Sequence, residues 1–180
     1  AVAVRTATRE AVVACGHSPA VLFDTPTCGL AMRRDGGMPT LDMVTYLHDV
    51  VMPRLRLTKV RRHVVVHPGC GTRKAGNVDQ LLAIAAACSE RVSVPPSSMC
   101  CGYAGDRGMR FPELPSAAIG PMAIEVAELV DADGWYGFNT TCEMGLRTHT
   151  GQHWASILEL LLEASQANKQ PDEPVHGSVL

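Results

Sequence analysis

Five of the seven cysteines in this 180-residue chain follow short apolar runs that predict buried β-strands. They lie four to seven residues beyond the last apolar residue of each run: Cys28 after Phe23, Cys70 after Val66, Cys100 and Cys101 after Val94, and Cys142 after Phe138. Because the carboxyl ends of parallel strands meet at one edge of a sheet, where ligand sites form, we expect these thiols to share one rim of the molecule. Thiolates are ligands of zinc and of iron–sulfur clusters, so the spacing favours a metal or cluster site.

Three interpretations of these five thiols remain open on the spacing alone. Reduced thiols without a ligand and disulfides are the alternatives to a metal site. The adjacent pair Cys100 and Cys101 bears on the choice between zinc and a cluster, because neighbouring side chains diverge. Divergent thiolates fit separate irons of a cluster better than a single zinc ion, whose ligands usually have two to four residues between them.

Two further features accompany this group. Cys15 and Cys88 fall in predicted helices among Ala and Val, where a free cysteine packs as a small hydrophobic residue. His67 lies three residues before Cys70. It could be a metal ligand, a hydrogen-bond donor to a ligand sulfur, or a strand-end histidine satisfied by backbone groups.

The elements that must position the cysteines alternate between strands and helices. Apolar runs predict strands at residues 20–23, 64–66, 91–94 and 135–138. Apolar periodicity predicts helices at 5–15, from 39 to about 55, at Val78–Cys88 with Asn77 as N-cap, at about 117–130, and from 154 to about 162. This alternation predicts an α/β fold with a parallel sheet and crossover helices. We expect one domain over residues 1–167 and a flexible polar tail over 168–180.

Composition excludes several classes of protein. Hydrophobic content of 46% with a net charge of −2 argues against disorder, and the near-neutral charge gives no footprint for nucleic acid. No apolar run is long enough for a transmembrane segment. Seven cysteines are too sparse for a disulfide scaffold. No Ser–His–Asp order or dinucleotide-binding glycine motif is visible.

A short internal repeat connects Cys28 with Cys142. Residues 25–33 (TPTCGLAMR) resemble residues 139–147 (NTTCEMGLR), and each segment follows a predicted strand. This predicts an internal duplication whose second copy is complete and whose first copy retains only Cys28. The chain also begins without Met. We therefore expect it to be a fragment of a longer polypeptide.

Four segments carry a resemblance to a known family. They are residues 23–28 (FDTPTC), 67–74 (HPGCGTRK), 100–108 (CCGYAGDRG) and 141–145 (TCEMG), and the cysteine pattern is Cys70-x29-Cys100-Cys101-Gly102-x39-Cys142. The chain resembles the cysteine-rich CCG domain found in heterodisulfide reductases. It is more similar to the C-terminal CCG domain of FAD-linked D-lactate and D-2-hydroxyglutarate dehydrogenase-like iron–sulfur oxidoreductases. One departure is that Gly145 stands where the general pattern has a further cysteine.

The resemblance implies an electron-transfer role. It implies that Cys70, Cys100, Cys101 and Cys142 hold a [4Fe–4S] cluster, with zinc as the alternative, and that Cys28 belongs to a first site completed by residues outside this chain. FAD and a ferredoxin-like iron–sulfur portion would lie in the missing N-terminal part, and this chain alone is not expected to be an active enzyme. The alternatives are a zinc-bound or metal-free structural or docking domain of the same kind of protein, and a dithiol redox module at Cys100 and Cys101. The resemblance does not specify the electron acceptor. A cytoplasmic location is expected, with a peripheral position at the inner membrane as an alternative.

Overall fold

Parallel strands form two sheets in the computed structural model of the chain, which describes residues 6–8, 10–11, 14, 21–36 and 40–167. In the smaller sheet, β1 (Val21–Phe23) pairs with β2 (Thr40–Asp42). The larger sheet has the order β4 (Ser89–Ser93), β3 (Arg61–Val66), β5 (Gly134–Gly137), β6 (Trp154–Ser156). Every paired strand is parallel to its neighbour, which confirms the α/β fold with parallel strands.

Helices connect these strands. In chain order they are α1 (Pro26–Gly36), α2 (Met43–Tyr46), α3 (Cys70–Ala75), α4 (Val78–Cys88), α5 (Arg107–Arg110), α6 (Glu113–Glu128), α7 (Thr140–Thr150) and α8 (Ile157–Gln166). After α2 the chain continues through a π-helical turn (Leu47–Val51) and a 3₁₀ turn (Met52–Arg54). In the described ranges, every helix is too short or too polar to cross a lipid bilayer.

The central strand β3 is buried on both faces, which explains its continuous apolar run. Val64 and Val66 pack with residues of α4 and α8, whereas Val65 packs with residues of α6 and α7. All three valines have no solvent exposure. Helices therefore cover both faces of the larger sheet, as expected when parallel strands are joined by crossover connections.

The chain changes direction across the larger sheet between β3 and β5. From β3 it crosses to the edge strand β4, and it then returns past β3 to β5 on the other side. Where connections leave to opposite sides in this way, a crevice opens at the carboxyl ends of the two strands. Cys70 is the first residue of α3, just after β3, and Cys142 is the third residue of α7, just after β5. Both residues thus flank this crevice.

Two helices begin later than predicted. Residues 40–42 form β2 because they pair with β1, and the Asp42 side chain accepts the Val44 N–H and caps α2. Trp154–Ser156 likewise forms β6, and Ser156 caps α8. In both places the prediction added the apolar residues of a short strand to the helix that follows. The cap residue between strand and helix was the signal for the boundary.

The remaining predicted helices agree with the structure in part. The helix Val78–Cys88 is confirmed, although the Asn77 side chain donates to Asp42 instead of capping it. The helix predicted at about 117–130 runs over Glu113–Glu128. The structure adds α1, α3, α5 and α7, which the apolar pattern did not predict. Of the predicted helix at 5–15, the described positions 6–8, 10–11 and 14 are helical. The tail at 168–180 lies outside the described residues.

The two segments of the proposed repeat have matching local structure. Each runs from a strand through a helix into a second, parallel strand: β1–α1–β2 and β5–α7–β6. Cys28 and Cys142 are each the third residue of their helix, and an arginine five residues later donates to the first carbonyl of the second strand (Arg33 to Thr40, Arg147 to Trp154). These parallels agree with an internal duplication, which stays a prediction.

Candidate metal and thiol centre

Four of the five predicted site cysteines gather at the crevice between β3 and β5. The Cys100 thiol is close enough to Cys70 to raise the pKa of that residue. The Sγ atoms of Cys101 and Cys142 lie 2.7 Å apart. Charge on either pair raises the pKa of thiols in the other, so the four sulfurs act as one electrostatic group. The structure therefore brings together the complete set that the sequence predicted.

Cys28 lies apart from this group. Its side chain is exposed in the first turn of α1, and its backbone N–H donates to the Thr25 carbonyl. The preceding residues Pro26 and Thr27 line the crevice beside Cys70. The structure thus places Cys28 near the four thiols without including it among them, and its assignment to a separate first site stays a prediction.

Cys70 and Cys142 are held in the first turns of α3 and α7 by the residues at the start of each helix. Gly69 precedes α3, and its bare face borders both His67 and Cys142. Asn139 caps α7 through its Oδ1, which accepts the N–H groups of Thr141 and Cys142. Each cysteine consequently sits in a first helical turn that is anchored to the end of a sheet strand.

The loop that carries Cys100 and Cys101 is held by hydrogen bonds on three sides. The Glu125 carboxylate of α6 accepts from both the backbone N–H and the hydroxyl of Ser97. The Ser98 carbonyl accepts from Arg73 of α3 at 2.7 Å, and the Ser98 hydroxyl contacts His67, just after β3, at 2.7 Å. These bonds connect the loop to the elements that carry the other thiols.

Gly102 is required by the turn that follows the adjacent cysteines. Its φ is +73°, and a Cβ there would lie 2.7 Å from the Leu114 carbonyl oxygen. The positive φ favours glycine, and the close carbonyl oxygen leaves no room for a side chain. The Cys–Cys–Gly sequence is therefore a packing requirement of this loop as well as a motif.

The packing around Gly145 explains why this position does not hold the further cysteine of the general pattern. A Cβ at this position would lie 2.3 Å from Cε2 of Tyr103. Tyr103 follows the adjacent cysteines by two residues, and its side chain is buried. The tyrosine ring therefore occupies the place that a fifth cysteine side chain would need, and the site is limited to four thiols.

The pKa values of three of these thiols, Cys70, Cys101 and Cys142, are shifted. A hydrogen bond from the Cys142 thiol lowers the pKa of Cys101 to about 7 against the opposing effect of burial, and the Tyr103 backbone N–H adds to the lowering. The same hydrogen bond raises the pKa of Cys142, and burial adds to this effect. Burial and the neighbouring Cys100 raise the pKa of Cys70. Of Cys70, Cys101 and Cys142, Cys101 is accordingly the first to ionise.

The four thiols are donors of the type that binds zinc or iron, but their present spacing does not match a metal site. Two thiolates on one zinc ion are about 3.8 Å apart, given a Zn–S bond of about 2.3 Å. The 2.7 Å between Cys101 and Cys142 is shorter, and the crevice has a volume of about 30 Å³. Within the described ranges no three His, Cys, Asp or Glu side chains have the spacing of a metal site. Metal binding would therefore require these two side chains to rotate apart.

His67 is a buried histidine with one ring nitrogen facing the crevice. Its side chain is 1% exposed, and its pKa is lowered to about 4 by burial, with a smaller contribution from the Arg73 charge. Nε2 has no hydrogen-bond partner among the described residues. The backbone N–H of His67 donates to the Tyr136 carbonyl, but this bond does not satisfy the ring nitrogen Nε2.

Cys88 and Cys15 were predicted to be packing residues. Cys88 is completely buried at the end of α4, and burial raises its pKa to about 11, as expected for an inert thiol. Cys15 lies outside the described residues.

A second polar cluster, around the buried His63, was not visible in the sequence. Ser93, His63 and Asp131 form a chain in which His63 Nε2 contacts the Ser93 hydroxyl at 2.8 Å and Nδ1 contacts Asp131 at 3.1 Å. Arg91 Nη2 also lies 2.7 Å from Nδ1. The Arg91 guanidinium can only donate to Nδ1, whereas the Asp131 carboxylate can only accept from it, so the two contacts favour opposite tautomers of His63.

These features define an α/β domain with a four-thiol centre at the carboxyl edge of a parallel sheet, at the point where the strand order reverses. In comparisons with family models, curated proteins and solved structures, the chain matches none of them.

Proposed function

We propose that the chain is the iron–sulfur electron-transfer domain of a flavin-dependent oxidoreductase that oxidises a D-2-hydroxy acid of the D-lactate or D-2-hydroxyglutarate type. Cys70, Cys100, Cys101 and Cys142 would hold the cluster. The observation that carries the proposal is the convergence of these four thiols in one crevice, from three different connections of the sheet. Thiolate sulfur is the donor that iron–sulfur clusters use.

The electron balance assigns the domain an intermediate position. Oxidation of a 2-hydroxy acid to a 2-oxo acid releases two electrons and two protons, which a flavin can accept together. When bound, an iron–sulfur cluster supplies one-electron transfer. The domain would pass the two electrons singly from the flavin and ferredoxin-like portions of the same polypeptide to an acceptor.

The protein's own residues set the environment of such a centre. Cys101 and Cys142 are nearly inaccessible to water, whereas Cys100 is exposed at the surface. The buried pair would shield the centre from solvent, and the exposed cysteine would give a short route to a docked partner. The hydrogen bonds of Ser97 and Ser98 hold the loop while the thiol side chains rotate.

A series of Cys→Ser variants tests the proposal. The chain is purified without air, supplied with iron and sulfide, and analysed for iron, acid-labile sulfide and visible absorption. We expect about four irons per chain in the wild type, and loss of most of this iron in Cys101→Ser and Cys142→Ser. Cys88→Ser is the matched control, because this thiol is buried elsewhere and should leave the iron content unchanged. A wild-type chain that binds no iron contradicts the proposal, and stoichiometric zinc without a redox signal would indicate a structural or docking domain instead.

A second function is favoured by one specific distance. Cys101 and Cys142 have Sγ atoms 2.7 Å apart, and the pKa of Cys101 is lowered to about 7. This pair could act as a redox dithiol that loses two electrons and two protons as the disulfide forms. The sequence suggests Cys100 and Cys101 for this chemistry, whereas the structure pairs Cys101 with Cys142.

Alkylation separates the two functions. A dithiol module predicts that the metal-free chain loses two thiols together on mild oxidation and that peptide mapping finds a Cys101–Cys142 disulfide. It also predicts faster alkylation of Cys101 than of the exposed Cys28 at pH 7, despite the burial of Cys101. If Cys101 reacts only after unfolding and no disulfide forms, the dithiol function is excluded.

A further inference from the structure

His67 combines complete burial with an unsatisfied ring nitrogen at the thiol crevice. Nδ1 lies 2.7 Å from the Ser98 hydroxyl oxygen, whereas Nε2 has no partner among the described residues. The ring lines the crevice together with Cys70 and Cys142. A buried polar atom without a partner is rare in native proteins and calls for an explanation.

The surroundings of Ser98 decide which nitrogen of His67 carries the proton. The serine is completely buried, its backbone N–H donates to Pro95 and its carbonyl accepts from Arg73. If Nδ1 donated to the hydroxyl, the serine proton and the Nε2 lone pair would both be left without a partner. If the hydroxyl donates to Nδ1, only the Nε2–H group remains to be satisfied. The second arrangement leaves fewer unsatisfied groups in the protein interior.

A candidate acceptor for Nε2 lies across the bare face of Gly69. A Cβ placed on Gly69 would lie 3.6 Å from Nε2 of His67 and 3.8 Å from Sγ of Cys142. The bare face of this glycine therefore leaves open the space that separates the ring from the sulfur. Among the three heavy atoms nearest to that Cβ position, the Cys142 sulfur is the one outside the histidine ring, and it can accept a hydrogen bond.

We propose that His67 is a positioning residue whose Nε2–H donates a hydrogen bond to a sulfur of the metal centre on its Cys142 side, and that this bond raises the reduction potential. The inference rests on the proposed iron–sulfur function. An added electron makes the sulfurs more negative, so a fixed donor stabilises the reduced centre more than the oxidised one. In this arrangement His67 is not itself a ligand.

The first part of the test needs no metal. Long-range ¹H–¹⁵N correlation spectra of the metal-free chain distinguish a histidine protonated at Nε2 from one protonated at Nδ1. We expect the Nε2–H form for His67 at pH 7. The Nδ1–H form would overturn the proposal, because Nε2 would then have no proton to donate.

The second part measures the midpoint potential of the reconstituted chain by redox titration. His67→Leu removes the donor and should shift the potential to lower values while the iron content stays at the wild-type level. His67→Gln keeps an N–H group near the position of Nε2 and should lie nearer to the wild type. His63→Gln is the matched control. His63 lies on β3 and is buried like His67, but it contacts Ser93 instead of the thiols.

Each result has a separate meaning. Loss of iron in His67→Leu would make the histidine a ligand, and an unchanged potential in both His67 variants would leave it no electrostatic role; either overturns the proposal. If His67→Leu does not fold, His67→Met, which also lacks an N–H donor, takes its place, and a potential equal to that of the wild type in this variant overturns the proposal. If the wild-type chain takes up no iron, the proposed function fails, and the spectra of the metal-free chain still decide the donor nitrogen.

Discussion

Single residues define the boundary of the thiol centre, and Gly145 shows this most directly. Its helix α7 carries Cys142, and the Tyr103 ring packs against the bare Cα of the glycine. A side chain at 145 and the ring at 103 cannot both occupy this space. The four-thiol composition of the centre is thus coupled to the tyrosine that follows the adjacent cysteines.

Gly145→Ala should lower the free energy of unfolding by about 1–3 kcal/mol, the usual cost of overpacking. The added Cβ would lie 2.3 Å from the ring, and this clash outweighs the gain in helix propensity. In a Tyr103→Ala background the same substitution should be neutral or stabilising. Urea denaturation of the four proteins measures the coupling.

Gly120→Ala is the control for this comparison. Gly120 also lies inside a helix, α6, but nothing lies within 4 Å of its Cβ position. This substitution should stabilise the protein by a few tenths of a kcal/mol to about 1 kcal/mol. An equal cost of Gly145→Ala with and without Tyr103 would show that the ring does not fill the position.

His63 should make stability depend on pH. Burial and the Arg91 charge lower its pKa below 6.5, with Asp133 opposing. The unfolded chain therefore binds a proton at a higher pH than the folded chain, so the free energy of unfolding falls as the pH drops below about 6.5. The Asp131 carboxylate also contacts Nδ1 and favours the charged ring, but the net effect of the surroundings is still a lowered pKa.

Chemical denaturation between pH 7 and pH 5 checks this expectation. His63→Gln should show a smaller loss of stability over this range than the wild type. His153→Gln, which changes an exposed histidine, should keep the full loss. His67 contributes in the same direction in all three proteins, because its pKa is also lowered. Parallel pH curves for the wild type and His63→Gln would contradict the assignment.

At the scale of elements, helix caps determine where strands end and helices begin. The Ser156 side chain accepts the Leu158 N–H, and Glu159 accepts the Ser156 N–H, which forms a capping box for α8. This cap lies at the junction of β6 and α8. It therefore fixes both the last pairing of the sheet and the direction of the helix that covers it.

Ser156→Ala should lower the free energy of unfolding by about 1 kcal/mol, because an N-terminal N–H loses its acceptor. Ser116→Ala is the matched control: its exposed hydroxyl donates to the carbonyl of Pro112, the residue before α6, and caps no helix. We expect the control to stay within about 0.5 kcal/mol of the wild type. Thermal or urea denaturation measures both, and equal effects would exclude a contribution from the cap.

The apolar pattern of the sequence predicted the strands and helices that are buried on several sides. It missed helices and short strands that are less buried. Val64–Val66 and Val78–Cys88 were predicted because burial requires continuous or periodic apolar residues. The helices α1, α3 and α7 begin with Thr, Cys and Gly residues at the crevice, where exposure and polar contacts replace an apolar stripe. The strands β2 and β6 have three residues each, and their identity depends on a partner strand that the local sequence does not reveal.

The sequence allowed the grouping of four thiols to be predicted, but it did not allow the contacts between them to be predicted. The position of Cys70 and Cys142 after strands implied a common edge, and the structure brings them together. The pairing of Cys101 with Cys142 depends on the path of the loop after β4, which Ser97 and Ser98 fix through contacts distant in sequence. No local pattern contains that information.

At the scale of the whole molecule, the reversal of strand order places the thiols between two layers of helices. The connections after β3 and β5 leave to opposite sides, and the loop after β4 closes the space between them. A centre in this position is covered by the fold and reachable from the surface at Cys100. This combination suits a domain that holds a redox centre and passes electrons to a docked partner.

Low-temperature EPR of the anaerobically reconstituted chain tests the central claim most directly. The account predicts a signal that appears on reduction with dithionite, disappears on reoxidation, and is absent from Cys101→Ser treated in the same way. A reconstituted chain that binds no iron, or one that binds zinc and stays silent under both conditions, would contradict it.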